Sequence, residues 1–268
     1  MLRANAKGEA SVQAIFITGG ASGIGRAIAE RFAREGWRVG LADVDAAGLA
    51  ATAALLPDGA ETYVMDVRDR DAWVAALDDF TAKAGRLDVL ANNAGIPLGG
   101  PLAEAAFDEI DRTVAINLTG VINGARIGHA YLKRTPGACL LNTASASAIY
   151  GSAGLAIYSA TKFGVRALTE ALDGEWAGDG IRVRGLVPAF IDTPLLAHPT
   201  AGSNRSIRET VTGAGLELSP VEDVAEAAWR AVHGDALFEY VGKTAHRLRF
   251  AARWMPGRLR KLMRRRFG

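Results

Sequence analysis

Residues 12–36 read VQAIFITGGASGIGRAIAERFAREG, and the fold is decided in this stretch. VQAIFI (12–17) is a short, nearly continuous apolar run with β-branched members, the pattern of a strand buried on both faces of a parallel sheet. Thr18-Gly19-Gly20-Ala21-Ser22-Gly23-Ile24-Gly25 follows at once and opens a helical run. Gly19, Gly23 and Gly25 permit a tight turn, let the backbone approach a pyrophosphate and leave room for helix against strand. The helix start at Ser22, Gly23, Ile24 and Gly25 offers unpaired N–H groups to phosphates. The spacing is Gly-x-x-x-Gly-x-Gly rather than Gly-x-Gly-x-x-Gly, so on this segment alone a glycine turn without a ligand stays open.

Working outward, similar apolar runs recur at RVGLA (38–42), ETYVM (61–65), LDVLA (87–91), ACLLN (138–142), RVRGLV (182–187) and FEYV (238–241). Helical stretches lie between them, at 24–35, 45–55, 70–84, 104–134, 156–177 and 221–233. This β/α alternation predicts an α/β fold: a single Rossmann-like, doubly wound parallel sheet of about seven strands with helices on both faces. No Pro-, Gly- or Ser-rich linker and no internal repeat divides it. Residues 1–242 are expected to form one dinucleotide-binding and catalytic domain, and 243–268 a basic amphipathic extension. The longest irregular stretch, 192–219, is of a length that is functional or mobile in compact domains.

A chain of 268 residues with 49% apolar and 22% charged residues can bury a full core, which excludes disorder. One cysteine, Cys139, excludes an intramolecular disulfide scaffold and a cysteine-based zinc site, and points to a reducing compartment. The first fifteen residues lack the apolar core of a signal peptide and no long apolar span follows, so a soluble cytoplasmic protein is expected. His129, His198, His233 and His246 show no metal-ligand spacing, and no metal is expected. Asn117-Leu118-Thr119 and Asn204-Arg205-Ser206 match the glycosylation pattern only by chance in such a protein.

Asp43 stands eighteen residues past Gly25, at the end of the second strand. A carboxylate there can accept hydrogen bonds from both adenosine ribose hydroxyls and repels a 2′-phosphate, which favours NAD over NADP. No Arg or Lys lies between Thr18 and Gly25 to attract that phosphate. The plainer role for Asp43, capping a helix that starts near Asp45, is compatible with the first.

With these elements in register, the sequence resembles the short-chain dehydrogenase/reductase family over about residues 12–242. The carriers are TGGASGIG (18–25), Asp66 in MDV, NNAG (92–95), Asn117 in INLTG, Ser145 in LLNTASAS, Tyr158 and Lys162 in YSATK, and Pro188 with Thr193 in VPAFIDT. The resemblance implies that Asp66 and Val67 bind adenine and that Asn92 and its neighbours Asn93, Ala94 and Gly95 brace the sheet beside the cofactor. It also implies that Pro188, Ile191 and Thr193 hold the cofactor, Thr193 at the nicotinamide carboxamide. The family usually has Pro-Gly where this chain has Pro188-Ala189, which narrows the space beside the nicotinamide.

Hydride transfer from a secondary alcohol to NAD⁺ leaves a proton to be taken up, and a tyrosine of ordinary pKa, about 10, is a poor base at neutral pH. Tyr158 and Lys162 are i and i+4 in a helical stretch, so the ammonium is expected to favour the phenolate, while the lysine can also reach the nicotinamide ribose. Ser145, just past the fifth strand, can polarise the substrate oxygen. Thr143 and Ser147 are rival hydroxyls. Ser145 is preferred because it precedes Tyr158 by thirteen residues, the family's interval, and Ser147 is then expected to face the substrate. Asn117 sits in the apolar run VAINLTGVI, an odd place unless its amide has a buried partner. The family uses it to hold a water in a proton relay behind the lysine.

The expected activity is therefore hydride exchange between NAD(H) and a secondary alcohol or ketone, with a lipophilic small-molecule substrate. A catalytically idle NAD-sensing or scaffold protein is the alternative, and the intact set Asn117, Ser145, Tyr158 and Lys162 argues against it. The family implies a homodimer or homotetramer paired through helices near 104–134 and 156–177. The net charge of +2 hides a split: residues 243–268 carry ten Lys/Arg and no acid, leaving 21 basic against 29 acidic groups elsewhere. Pro256-Gly257 divides this tail into two helical pieces, the second with an apolar stripe at Leu259, Leu262, Met263 and Phe267. The stripe can dock on the protein or a neighbouring subunit, or seat on an anionic membrane surface. No motif accompanies the charge to suggest nucleic acid.

Overall fold

The structure is a computed structural model and describes residues 12–197, 206–213 and 215–265. Seven strands form one sheet: β1 (Ala14–Thr18), β2 (Arg38–Asp43), β3 (Glu61–Val64), β4 (Val89–Asn92), β5 (Cys139–Thr143), β6 (Arg182–Pro188) and β7 (Phe238–Val241). Their order is β3-β2-β1-β4-β5-β6-β7, with every neighbouring pair parallel. β1 shows why its sequence does not alternate. Ile15 and Ile17 enter one core layer with Phe32, Leu41 and Val224, whereas Ala14 and Phe16 enter the other with Trp73, Phe80 and Leu90. Both faces are covered, so every position of the strand is apolar and buried up to Thr18. Full burial of a side chain such as Phe16 is worth roughly 2–3 kcal/mol.

The helices are α1 (Gly23–Ala33), α2 (Ala46–Ala53), α3 (Arg70–Ala84), α4 (Phe107–Val114), α5 (Gly120–Leu132), α6 (Ala156–Glu175), α7 (Ile207–Gly213), α8 (Val221–His233), α9 (Lys243–Trp254) and α10 (Pro256–Arg265). The stretch expected as one helix over 104–134 begins at Phe107 and is widened by a π-turn, Ala115–Thr119, between α4 and α5. Asp45, not Asp43, caps α2: its side chain accepts a hydrogen bond from the Gly48 N–H. The long irregular stretch contains a 3₁₀ turn, Pro194–Ala197, and α7. His198 and Asn204 lie outside the described residues.

The sheet order reverses between β1 and β4, which run side by side from the centre. In open parallel sheets ligands bind beyond the carboxyl ends of the strands at such a point. Here the glycine turn leaves Thr18, and Asn92 passes into Asn93-Ala94-Gly95.

Candidate active site

A cleft of about 450 Å³ opens there, running from Asp43 and Asp66 at one end to Ser145 and Tyr158 at the other. The glycine turn is shaped by contact as well as conformation. Gly19 (φ +69°) and Gly23 (φ +52°) lie in the left-handed region, and a Cβ on Gly25 would stand 2.1 Å from the Gly19 carbonyl oxygen. Gly19, Ser22, Gly23 and Ile24 line the cleft, while Gly25 is buried behind them and keeps the turn closed.

Thr18 fastens this turn to the next strand. Its hydroxyl oxygen accepts hydrogen bonds from the N–H groups of Asn93 (3.0 Å) and Ala94 (3.1 Å), and Asn93 Nδ2 donates to the Thr18 carbonyl at 3.1 Å. The Thr143 hydroxyl donates to Asn93 Oδ1 at 3.3 Å, linking β5 to the same network. Asn92 is buried and donates to Asn142 Oδ1 at 3.0 Å across the sheet. Asn93, Ala94 and Gly95 therefore line a wall held on three strands.

At the adenosine end Asp43 accepts a hydrogen bond from the Ala21 N–H at 3.2 Å and another from the Asp45 N–H at 3.1 Å. Val44, Met65, Asp66 and Val67 line the cleft beside it. Arg68 hydrogen-bonds Asp66 and holds its carboxyl below the usual range. Arg68 and Arg112 also line the cleft and were not singled out in the sequence. Arg68 had a signal, standing two residues past Asp66. Arg112 had none, because α4 brings it in from another part of the chain.

At the other end Tyr158, Ser145 and Lys162 line the cleft together, with the Ser145 hydroxyl near enough to Tyr158 to favour its phenolate. The ammonium of Lys162 donates to the Thr143 carbonyl at 2.9 Å and lies 5.7 Å from the centre of the Tyr158 ring. Burial pushes the Lys162 pKa down to about 8. Burial also raises that of Tyr158, against the lowering effect of the Ser145 hydroxyl. This corrects the expectation of a tyrosine depressed by its lysine: the packing around both groups favours their neutral forms.

Ser145 Oγ accepts a hydrogen bond from the Ser147 N–H at 3.2 Å, within the turn Ala146–Ala148. Ser147 is as buried as Ser145 and is not among the lining residues; its backbone N–H orients the Ser145 oxygen. Asn117, wholly buried in the π-turn, has the partner its position demanded: Oδ1 accepts from the Ile96 N–H and Nδ2 donates to the Ile96 carbonyl, both at 2.8 Å. It stands behind the cleft rather than in its lining. A Cβ on Gly95 would lie 3.3 Å from Asn117 Oδ1 and 3.5 Å from Lys162 Nζ, so the two side chains converge on that residue. Pro188, Ala189, Ile191, Thr193, Leu195 and Leu196 complete the lining.

A parallel sheet with a cleft at its switch point, lined by a glycine turn at a helix N-terminus and by Ser145, Tyr158 and Lys162, is the architecture of a nicotinamide-dependent oxidoreductase class. The short chain dehydrogenase family matches residues 13–203, and the chain belongs to that family. It is 35% identical over 221 residues to the meso-2,3-butanediol dehydrogenase of Serratia marcescens, covering 81% of this chain and 86% of that one. The crystal structure of a 3-ketoacyl-(acyl-carrier-protein) reductase from Brucella melitensis complexed with NADH superposes with a TM-score of 0.77 at 32% identity, covering 87% of this chain and 98% of that one. A short chain dehydrogenase/reductase from Burkholderia phymatum in complex with NAD gives 0.81 at 27%, covering 94% and 95%.

Proposed function

We propose that the protein exchanges a hydride between NAD(H) and a secondary alcohol or its ketone. The observation that carries this reading is the meeting of Ser145, Tyr158 and Lys162 at one end of a cleft whose other end is lined by Asp43. A dinucleotide fits the residues present, because Gly19 and Gly25, where a Cβ would strike neighbouring backbone, keep the turn tight and bring the N-terminus of α1 to the cleft, where its N–H groups can meet phosphates. Asp43, Asp66 and Val67 would hold the adenosine half, and Lys162, Ile191 and Thr193 the nicotinamide half. NAD, when bound, supplies the hydride acceptor.

The chain's own residues manage the proton. Tyr158, kept neutral by its surroundings, presents an O–H that can be given to a carbonyl oxygen or received back from an alcohol. Ser145, its Oγ oriented by the Ser147 N–H, can hydrogen-bond the same substrate oxygen. Lys162, held by the Thr143 carbonyl, keeps a cationic or neutral amine next to the site, and Asn117 fixes the Ile96 backbone behind it. Asp43, facing the ribose position with no cation beside it in the glycine turn, supports NAD over NADP.

Ile96, Ala144, Ala189, Leu195 and Leu196 are apolar members of the cleft lining, which supports a lipophilic substrate. Exposed Phe107, Ile122 and Phe163 on α4, α5 and α6 support pairing of those helices in a homodimer or homotetramer, to be checked by light scattering. A panel of sterols, retinoids, long-chain alcohols and sugars screened for NADH production tests the reading. Activity on none of them with NAD or NADP would favour the idle alternative.

A further inference from the structure

The tail turns part of its apolar stripe inward. Leu259 is buried and Met263 lines a groove with Tyr150 and Phe163, so the second helical piece lies on the protein's own surface, whereas Leu262 is 52% exposed; Phe267 lies outside the described residues. A different set faces out. On α9, Ala245 is fully buried and Leu248 and Ala252 half-buried, whereas Phe250 and Trp254, four residues apart on the opposite side, are 59% and 68% exposed. Arg247 and Lys243 continue that outer stripe one and two turns earlier, and Arg253 flanks it with its guanidinium 5.7 Å from the Trp254 ring. Among the described residues, Lys243 reaches Glu217, but Arg247, Arg249, Arg253, Arg258, Arg260, Lys261 and Arg264 join no acidic group.

We propose that the outer face of α9 seats the protein on an anionic lipid surface, with Trp254 and Phe250 entering the headgroup region and Arg247 and Arg253 meeting lipid phosphates. Large exposed aromatics beside uncompensated cations suit that boundary, where a ring has one apolar and one wet side. Two copies of this chain are a poorer occupant. An isologous contact would place the stripe against itself and bring cation against cation. Because α9 also touches the Ala146–Ala148 turn that follows Ser145, lipid held there would lie on the side of the molecule that carries the reactive end of the cleft. The proposal stands apart from the identity of the substrate.

The chain carries its own reporter. Trp37, Trp73 and Trp176 are buried and Trp229 is partly covered, so Trp254 is the exposed tryptophan of the five. Full-length protein mixed with phosphatidylglycerol/phosphatidylcholine vesicles at low salt should pellet with them, and brominated chains in those vesicles should quench its fluorescence. Pure phosphatidylcholine vesicles, or about 1 M salt, should abolish both effects. The quenching should vanish in Trp254→Phe, and Arg247→Ser with Arg253→Ser should weaken binding at least about tenfold while turnover on a water-soluble substrate stays unchanged. Failure of the wild-type protein to pellet and be quenched overturns the proposal. So does binding that survives the arginine changes, or a Phe250→Ser/Trp254→Ser variant that falls to a smaller mass in light scattering, which would make the face a subunit contact.

Discussion

Asn117 and Ile96 exchange two hydrogen bonds of 2.8 Å, the side-chain amide pairing with both polar groups of one backbone residue. The amide thereby does for the loop after β4 what a neighbouring strand would do. It can reach Ile96 because the π-turn over Ala115–Thr119 sits where α4 passes into α5. Asn117→Ala leaves two backbone groups without partners in a buried site. A loss of about 2–4 kcal/mol in unfolding free energy is expected by urea titration, together with a raised KM for NAD. Asn117→Asp restores only the acceptor and should fall between the two.

Lys162 gives a pH dependence whose sign follows from its burial. Its pKa in the folded protein is about 8, against 10.5 for an ordinary lysine. Between these values the unfolded chain holds a proton that the folded one has released, so stability rises with pH across this window and the cost of burying the charge is fully present below it. The rise is of order 3 kcal/mol. Lys162→Met should be the more stable protein at neutral pH and lose its advantage by about pH 10.5. Parallel pH profiles for the two proteins in denaturant titrations would remove the assignment.

Gly25→Ala tests the turn. The added methyl would meet the Gly19 carbonyl oxygen at 2.1 Å, too close to be relieved without moving the backbone that faces the phosphates. Overpacking of this kind costs roughly 1–3 kcal/mol, or a weakening of NADH binding of about ten- to a hundredfold by fluorescence titration.

For Asp43, NADH is expected to bind more tightly than NADPH, and Asp43→Ala to narrow that gap. The same change removes an acceptor from the N–H groups of Ala21 and Asp45, so a loss of stability of about 1–2 kcal/mol should accompany it. Equal affinities in the wild-type protein, measured by calorimetry, would contradict the reading.

What was legible in the sequence was local or periodic. The turn at 18–25 joins strand, glycines and helix within a few residues, and Tyr158 with Lys162 share a helix face by spacing alone. Asn117 was legible as a misfit, but its partner Ile96 lies 21 residues earlier and only the fold brings them together. The direction of the Tyr158 pKa was not legible for the same reason: spacing gives the distance to a lysine, whereas desolvation depends on what the fold packs around the group. Periodicity in the tail showed which residues share a face and not what covers it. Leu259 and Met263 dock, while Phe250 and Trp254, readable as an i, i+4 pair, are left outside.

The central claim is that the Tyr158 hydroxyl, beside Ser145 in the cleft, carries the proton of the reaction. Tyr158→Phe removes that oxygen and little else, since the ring remains to pack beside Lys162. Turnover on the first substrate identified, measured by NADH absorbance alongside NADH affinity by fluorescence, should fall by at least about a hundredfold with affinity unchanged to within about twofold. Wild-type turnover in Tyr158→Phe would contradict the account.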